Sequence, residues 1–200
     1  MRHMSVRLRY GDLVQLIERM HALPASRGIA TESRIKNFSR LDFPPGPKVG
    51  SGERAEYGPI QVVQLLVGFE LLRHRMPPAV IAEVVRTEWP RIAHGFATAA
   101  RELGRGEERG ADAPLLLVDA VALHEVGKTI RPGELLTTIE PVSPSELFGG
   151  ADQGSAASVR SALVLNPAAI LAAAAAQLPW LRRPKDAAAF IAELAATEAG

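Results

Sequence analysis

The residues best equipped for chemistry sit on one short stretch, Ser33-Arg34-Ile35-Lys36-Asn37-Phe38-Ser39-Arg40-Leu41-Asp42-Phe43. Arginine and asparagine can each make two hydrogen bonds at once, which suits them to the edges of guanine and adenine. Lysine and arginine neutralise phosphates without reading sequence. Ile35, Phe38 and Leu41 recur at helical spacing and can bury, while Arg34, Lys36, Asn37 and Arg40 fall off that stripe. The spacing predicts a helix with one apolar face and one face open to a duplex. An ordinary solvated amphipathic helix shares the pattern. Pro44-Pro45-Gly46-Pro47 ends the helix, because proline lacks the N–H donor and crowds the preceding turn.

Other constellations are poorer. Asp119, His124 and Glu125 suggest acid–base chemistry. On a strand, however, neighbours 124 and 125 point to opposite faces and cannot share a substrate. No nucleophile motif, phosphate loop or ligand-spaced cluster accompanies them. The expectation is therefore no enzyme, no cofactor and no metal site. His74 and His94 are isolated and read as helix-surface or boundary residues. Arg182-Arg183-Pro184-Lys185 reads as a charged turn between helices. The chain has no cysteine, which excludes disulfides and thiolate chemistry.

Charge is uneven along the 200 residues. Residues 1–60 carry ten Lys/Arg and six acids, a balance of +4, and residues 111–200 carry six and ten, a balance of −4. A basic front and an acidic back fit a half that meets DNA and a half that meets protein. No apolar run reaches membrane-spanning length, and the start of the chain lacks a signal-peptide pattern. The expectation is a cytoplasmic protein.

The elements that would position the charged stretch follow from periodicity and punctuation. Asp12 reads as the N-cap of a first helix to about Ala22, with Leu13, Leu16, Ile17 and Met20 inward. Leu23 to Gly28 breaks it, and Thr31 reads as the cap of the second helix. Lys48 to Tyr57, centred on Gly50-Ser51-Gly52, suits a hairpin, with Lys48 and Arg54 within reach of phosphates. Gly58-Pro59 opens a third helix through Leu72, Pro77-Pro78 a fourth, and Ile92, Phe96 and Ala99 mark a fifth to about Leu103. Gly104 to Pro114 reads as a linker. Beyond it, Leu115–Val118 and Ala162–Leu165 read as strands, and Leu135–Glu140 as either strand or short helix. Val142–Ser158 reads as loop. Asn166-Pro167 starts a helix to Leu178, and Asp186 to Leu194 forms the last.

Ile35, Lys36, Asn37, Phe38, Ser39, Arg40, Leu41, Phe43 and Pro45, then Tyr57, Val62, Leu65, Leu71, Arg75-Met76 and Ile81, resemble the winged helix-turn-helix domain of the MerR family. Lys36 and Asn37 stand where the family has an arginine and an aromatic residue. The resemblance covers about a quarter of the chain. It implies a sequence-specific, double-stranded-DNA-binding transcriptional regulator, with helix 31–42 as reader and residues 48–57 as wing. The DNA-binding residues it implies are Ser33, Arg34, Lys36, Asn37, Arg40, Lys48, Arg54 and Tyr57. The expected fold is mainly α: a winged domain over 5–103, a linker at 104–114, and a small α+β domain over 115–200 for dimerisation or for a partner or ligand. The expected partners are DNA, a second copy, and RNA polymerase or another protein. Two rival readings are a protein-binding adaptor that uses the winged domain, and a phage-type excision or architectural factor.

Overall fold

Helix boundaries in the computed structural model follow local hydrogen bonding more than the sequence punctuation suggests. It describes residues 6–21, 28–46, 55–105, 113–119, 139–148, 162–181 and 186–197. A two-residue strand, β1 (Leu8–Arg9), runs directly into α1 (Tyr10–Met20). Asp12 is not the cap of α1. It lies in the first turn, and its carboxylate accepts the Arg9 backbone N–H at 3.2 Å. α2 (Gly28–Arg40) likewise starts three residues before Thr31, which is buried inside the helix. The break expected between the two helices falls mostly on residues 22–27, outside the described part.

β2 (Glu56–Tyr57) pairs antiparallel with β1, Leu8 opposite Tyr57. The hairpin partner expected at Lys48 lies outside the described residues, so the described pairing ties the end of that segment to the start of the chain. α3 (Pro59–Arg73), α4 (Pro78–Thr87) and α5 (Trp89–Arg105) then follow much as the sequence predicts. α3 is apolar around nearly its whole circumference, from Val62 to Leu71, and such a helix must be central. It packs on α1, β2, α4 and the C-terminal helix.

A three-stranded antiparallel sheet, in the order β4-β3-β5, is built from β3 (Leu115–Asp119), β4 (Ile139–Val142) and β5 (Ala162–Leu165). Leu116 sits opposite both Pro141 and Leu165. β4 settles residues 139–140 as strand; residues 135–138 lie outside the described part. A short helix, α6 (Pro144–Phe148), stands where the sequence suggests only loop. α7 (Pro167–Gln177) is capped as expected, the Ala169 N–H donating to Asn166 Oδ1 at 3.0 Å. A 3-10 turn (Leu178–Leu181) and α8 (Asp186–Ala195) complete the chain.

α5 joins the front and back of the molecule. It packs against α4 on one side and against α7, α8, β3 and β4 on the other. Its residues are small where the approach is close: a Cβ on Gly95 would lie 2.9 Å from Leu116 Cδ2. A single apolar core therefore runs from Val6 to Leu194, across the stretch at 104–114 where a linker is expected. α5 continues to Arg105, and Ala113 is buried. α5 lies on β3 and β4, while Val164 of β5 is exposed. No helix among the described residues is long and apolar enough to cross a membrane.

Candidate nucleic-acid interface

The two faces of α2 are cleanly divided. Ile35 and Phe38 are buried, and Phe38 is wholly inaccessible. Its ring meets Phe43 at 5.2 Å and Phe69 at 6.1 Å between centroids. Gly68 of α3 makes room for both, since a Cβ there would lie 3.3 Å from each of the Phe38 and Phe43 rings. These contacts fix the roll of α2 about its axis. Ser33, Arg34, Lys36, Asn37, Ser39 and Arg40 are consequently exposed.

Several bonds brace the helix. The Tyr10 hydroxyl donates to the Glu32 carbonyl at 3.4 Å. Burial, reinforced by the Glu32 carboxylate, pushes the Tyr10 pKa up to about 12, so the phenol stays a donor at neutral pH. Arg86 of α4 donates to the Leu41 carbonyl at 3.4 Å and holds the far end. On the open face, Lys36 pairs with Glu32 one turn earlier at 3.4 Å. Both partners are well exposed, and such pairs are weak enough for a phosphate to displace the carboxylate.

Five of the eight expected DNA-binding residues, Ser33, Arg34, Lys36, Asn37 and Arg40, thus lie on one exposed helix face. Lys48 and Arg54 lie outside the described residues. Tyr57 is placed differently from the expectation. It is 4% exposed, sits in the core opposite Leu8, and burial raises its phenol pKa. Its ring anchors the end of the expected wing from inside and offers no surface to a duplex.

No family model, curated protein or solved structure matches the chain. A functional reading rests on the geometry of α2 and its surroundings.

The other expectations from sequence have less to work with. Asp119 ends β3, while His124 and Glu125 lie outside the described residues, as do Arg182, Arg183 and Lys185. Among the described residues no three metal-ligating side chains converge. An open groove lies between α5, α7 and α8, and alanines line most of it. One residue of the α2 neighbourhood has no counterpart among the sequence expectations. Gln61 of α3 accepts the Gly58 N–H at 2.9 Å and donates to the Pro45 carbonyl at 3.1 Å. A glutamine three residues after a helix's capping position is a readable signal for the first of those bonds. The second joins residues 16 apart and has no local signature.

Proposed function

We propose that this chain is a sequence-specific DNA-binding regulator of transcription that works in the cytoplasm. Its front half would be a MerR-like winged helix-turn-helix, with α2 as the reading helix. The observation that carries this reading is the division of α2: an aromatic-locked buried face opposite an exposed face bearing Arg34, Lys36, Asn37 and Arg40. A reading helix needs both properties, because base contacts require side chains held at a defined roll and depth.

In this reading Arg34 and Asn37 reach base edges, and Ser33 and Lys36 lie at the groove rim. Arg40, with Lys48 and Arg54 of the wing, neutralises phosphates and supplies affinity without specificity. The acidic back half, an α+β layer clamped on α5, faces away from DNA and takes a second copy, RNA polymerase or another protein. Two reading heads on one dimer would occupy half-sites a helical turn apart.

Genome-wide occupancy followed by footprinting of the purified protein tests the proposal. A palindromic footprint whose affinity falls steeply with salt is expected. Asn37→Ala and Arg34→Ala should each cost about 1–3 kcal/mol at one base position and relax preference there. Salt-insensitive binding, or none to any genomic fragment, would reject the proposal in favour of the protein-binding adaptor.

A further inference from the structure

We infer that Arg86 of α4 is a positioning residue for the reading helix: it holds the C-terminal end of α2 at the tilt that lets Asn37 read its base. The inference rests on the DNA-binding reading of α2.

An α-helix leaves its last carbonyls without partners along its own axis. At the end of α2 the Phe43 N–H donates to the Phe38 carbonyl at 3.1 Å, and the Asp42 N–H to the Ser39 carbonyl at 3.2 Å. This Schellman closure requires a left-handed residue, which Asp42 supplies with φ 53°. The motif folds residue 43 back over residue 38, and the two rings meet at 5.2 Å. The next carbonyl, that of Leu41, is taken from outside the helix. Arg86 Nη2 donates to it at 3.4 Å, across 45 residues of sequence.

Arg86 lies in the last turn of α4, so this bond joins two helix C-termini. Both ends carry partial negative charge and repel each other, and a guanidinium between them removes the repulsion. The planar fork also has two arms in use. Nη1 pairs with Glu83 one turn earlier on α4 while Nη2 reaches Leu41. Glu83 thereby fixes the direction in which the fork points. The Arg86 side chain is 45% exposed and adds little to the core, so substitutions there leave the fold intact.

α2 is thus tied from outside near both ends, by Tyr10 of α1 at the Glu32 carbonyl and by Arg86 of α4 at the Leu41 carbonyl. Arg34 and Asn37 lie between the ties, both exposed. The aromatic contacts of Phe38 fix the roll of α2, but an apolar contact is non-directional and tolerates tilt. Releasing the Arg86 tie frees the C-terminal turn to tilt about the Tyr10 end. Asn37 stands about one turn from the released tie and moves most, whereas Arg34 stands beside the Tyr10 tie and moves least. A bidentate contact with a base edge tolerates little displacement.

The experiment uses the full chain and its best genomic fragment, with single-base-pair variants of that fragment. Asn37→Ala and Arg34→Ala first assign the base pair that each residue reads. Dissociation constants are then measured over a salt series for wild type, Arg86→Lys, Arg86→Leu and the double variant Arg86→Lys/Asn37→Ala, each shown folded by circular dichroism. Lysine keeps the charge and loses the fork. We expect Arg86→Lys to lower discrimination at the Asn37 base pair by about three- to tenfold, the scale of one hydrogen bond. Discrimination at the Arg34 base pair should fall less, and the salt slope should stay that of wild type. In the Asn37→Ala background the same substitution should have no further effect at that base pair, because the side chain it positions is gone. A phosphate contact by Arg86 predicts the reverse: lysine would rescue, and leucine would weaken all fragments alike and make the slope shallower by about one. That result would overturn the inference. So would wild-type discrimination in both Arg86 variants, equal losses at the two base pairs, or a loss that persists without Asn37. If the wild-type protein itself shows no salt-dependent DNA binding, it is the DNA-binding reading that fails.

Discussion

α2 and α5 are both amphipathic helices with cations along one side, yet the fold treats them oppositely. α2 buries a narrow stripe, Thr31, Ile35 and Phe38, and leaves large polar side chains open. α5 buries Ile92, Ala93, Gly95, Phe96, Ala97, Ala99 and Ala100, a band wide enough for neighbours on two sides. The cations differ as well. Arg101 of α5 donates to the Ala195 carbonyl of α8 at 3.2 Å, and Arg91 to Glu88, so both serve the fold. Among the described residues, Lys36 of α2 is paired only along its own helix, with Glu32. Amphipathicity therefore does not separate a helix that joins layers from one that presents a surface. Residue size does, because glycine and alanine allow close approach while long side chains hold neighbours off.

The sharpest way to break this comparison is to remove the anchor of α2. Phe38→Ala should cost about 3–5 kcal/mol in denaturant unfolding, since it empties a wholly buried, three-ring cluster. Asn37→Ala, one residue along on the open face, should stay within about 0.5 kcal/mol. Similar costs for the two would mean that the division of α2 into faces is wrong.

The next effect tests α5 as the joint between front and back. Gly95→Val places a branched side chain where a Cβ already comes within 2.9 Å of Leu116 Cδ2. Leu116 is itself fully buried and paired on both sides in the sheet, so it has little room to yield. Overpacking of this kind costs about 1–3 kcal/mol. Because one core spans both halves, unfolding should stay a single transition followed by Trp89 in α5 and Trp180 near α8 alike. Two separate transitions in the wild-type protein would show that α5 does not couple the halves.

Much of this arrangement was readable in the residues. The faces of α2, the proline starts of α3 and α4, the strands at Leu115 and Ala162 and the Asn166 cap all follow from period and punctuation. What was not readable depends on contacts distant in sequence. Tyr57 looked like a surface residue because nothing local shows that β1 would cover it. The packing of α7 and α8 back onto α5 likewise has no local signature in the polar composition of the Gly104–Pro114 stretch. Asp12 and Thr31 are both acceptable caps by type, but the helices begin earlier, and local preference there is weak against packing. The two Gln61 hydrogen bonds need Pro45 and Gly58 brought together, which only the fold does.

The smallest effect sharpens the comparison through one histidine, packed against α3 close to α2. His21 ends α1 with its side chain only 8% exposed, its ring stacked on Phe69 and Nδ1 3.7 Å from Glu70 Oε1. Among the described residues its buried Nε2 meets no hydrogen-bond partner. Burial lowers the His21 pKa; the Glu70 carboxylate opposes this, and the charges of Arg73 and Arg34 add to the lowering. The folded protein therefore resists protonation that the unfolded chain accepts at its ordinary value of 6.5. Between the lowered folded value and 6.5 the unfolded state holds more protons, so stability rises with pH across that window. The contribution is complete above 6.5 and is lost progressively as pH falls from there through the folded value. Urea midpoints measured from pH 8 down to pH 5 should drop more for wild type than for His21→Gln, which removes the titrating group. Parallel profiles for wild type and His21→Gln would mean that His21 takes up its proton equally well in both states. The packing that holds α1 against α2 and α3 would then be looser at that point than the ring stacking on Phe69 implies.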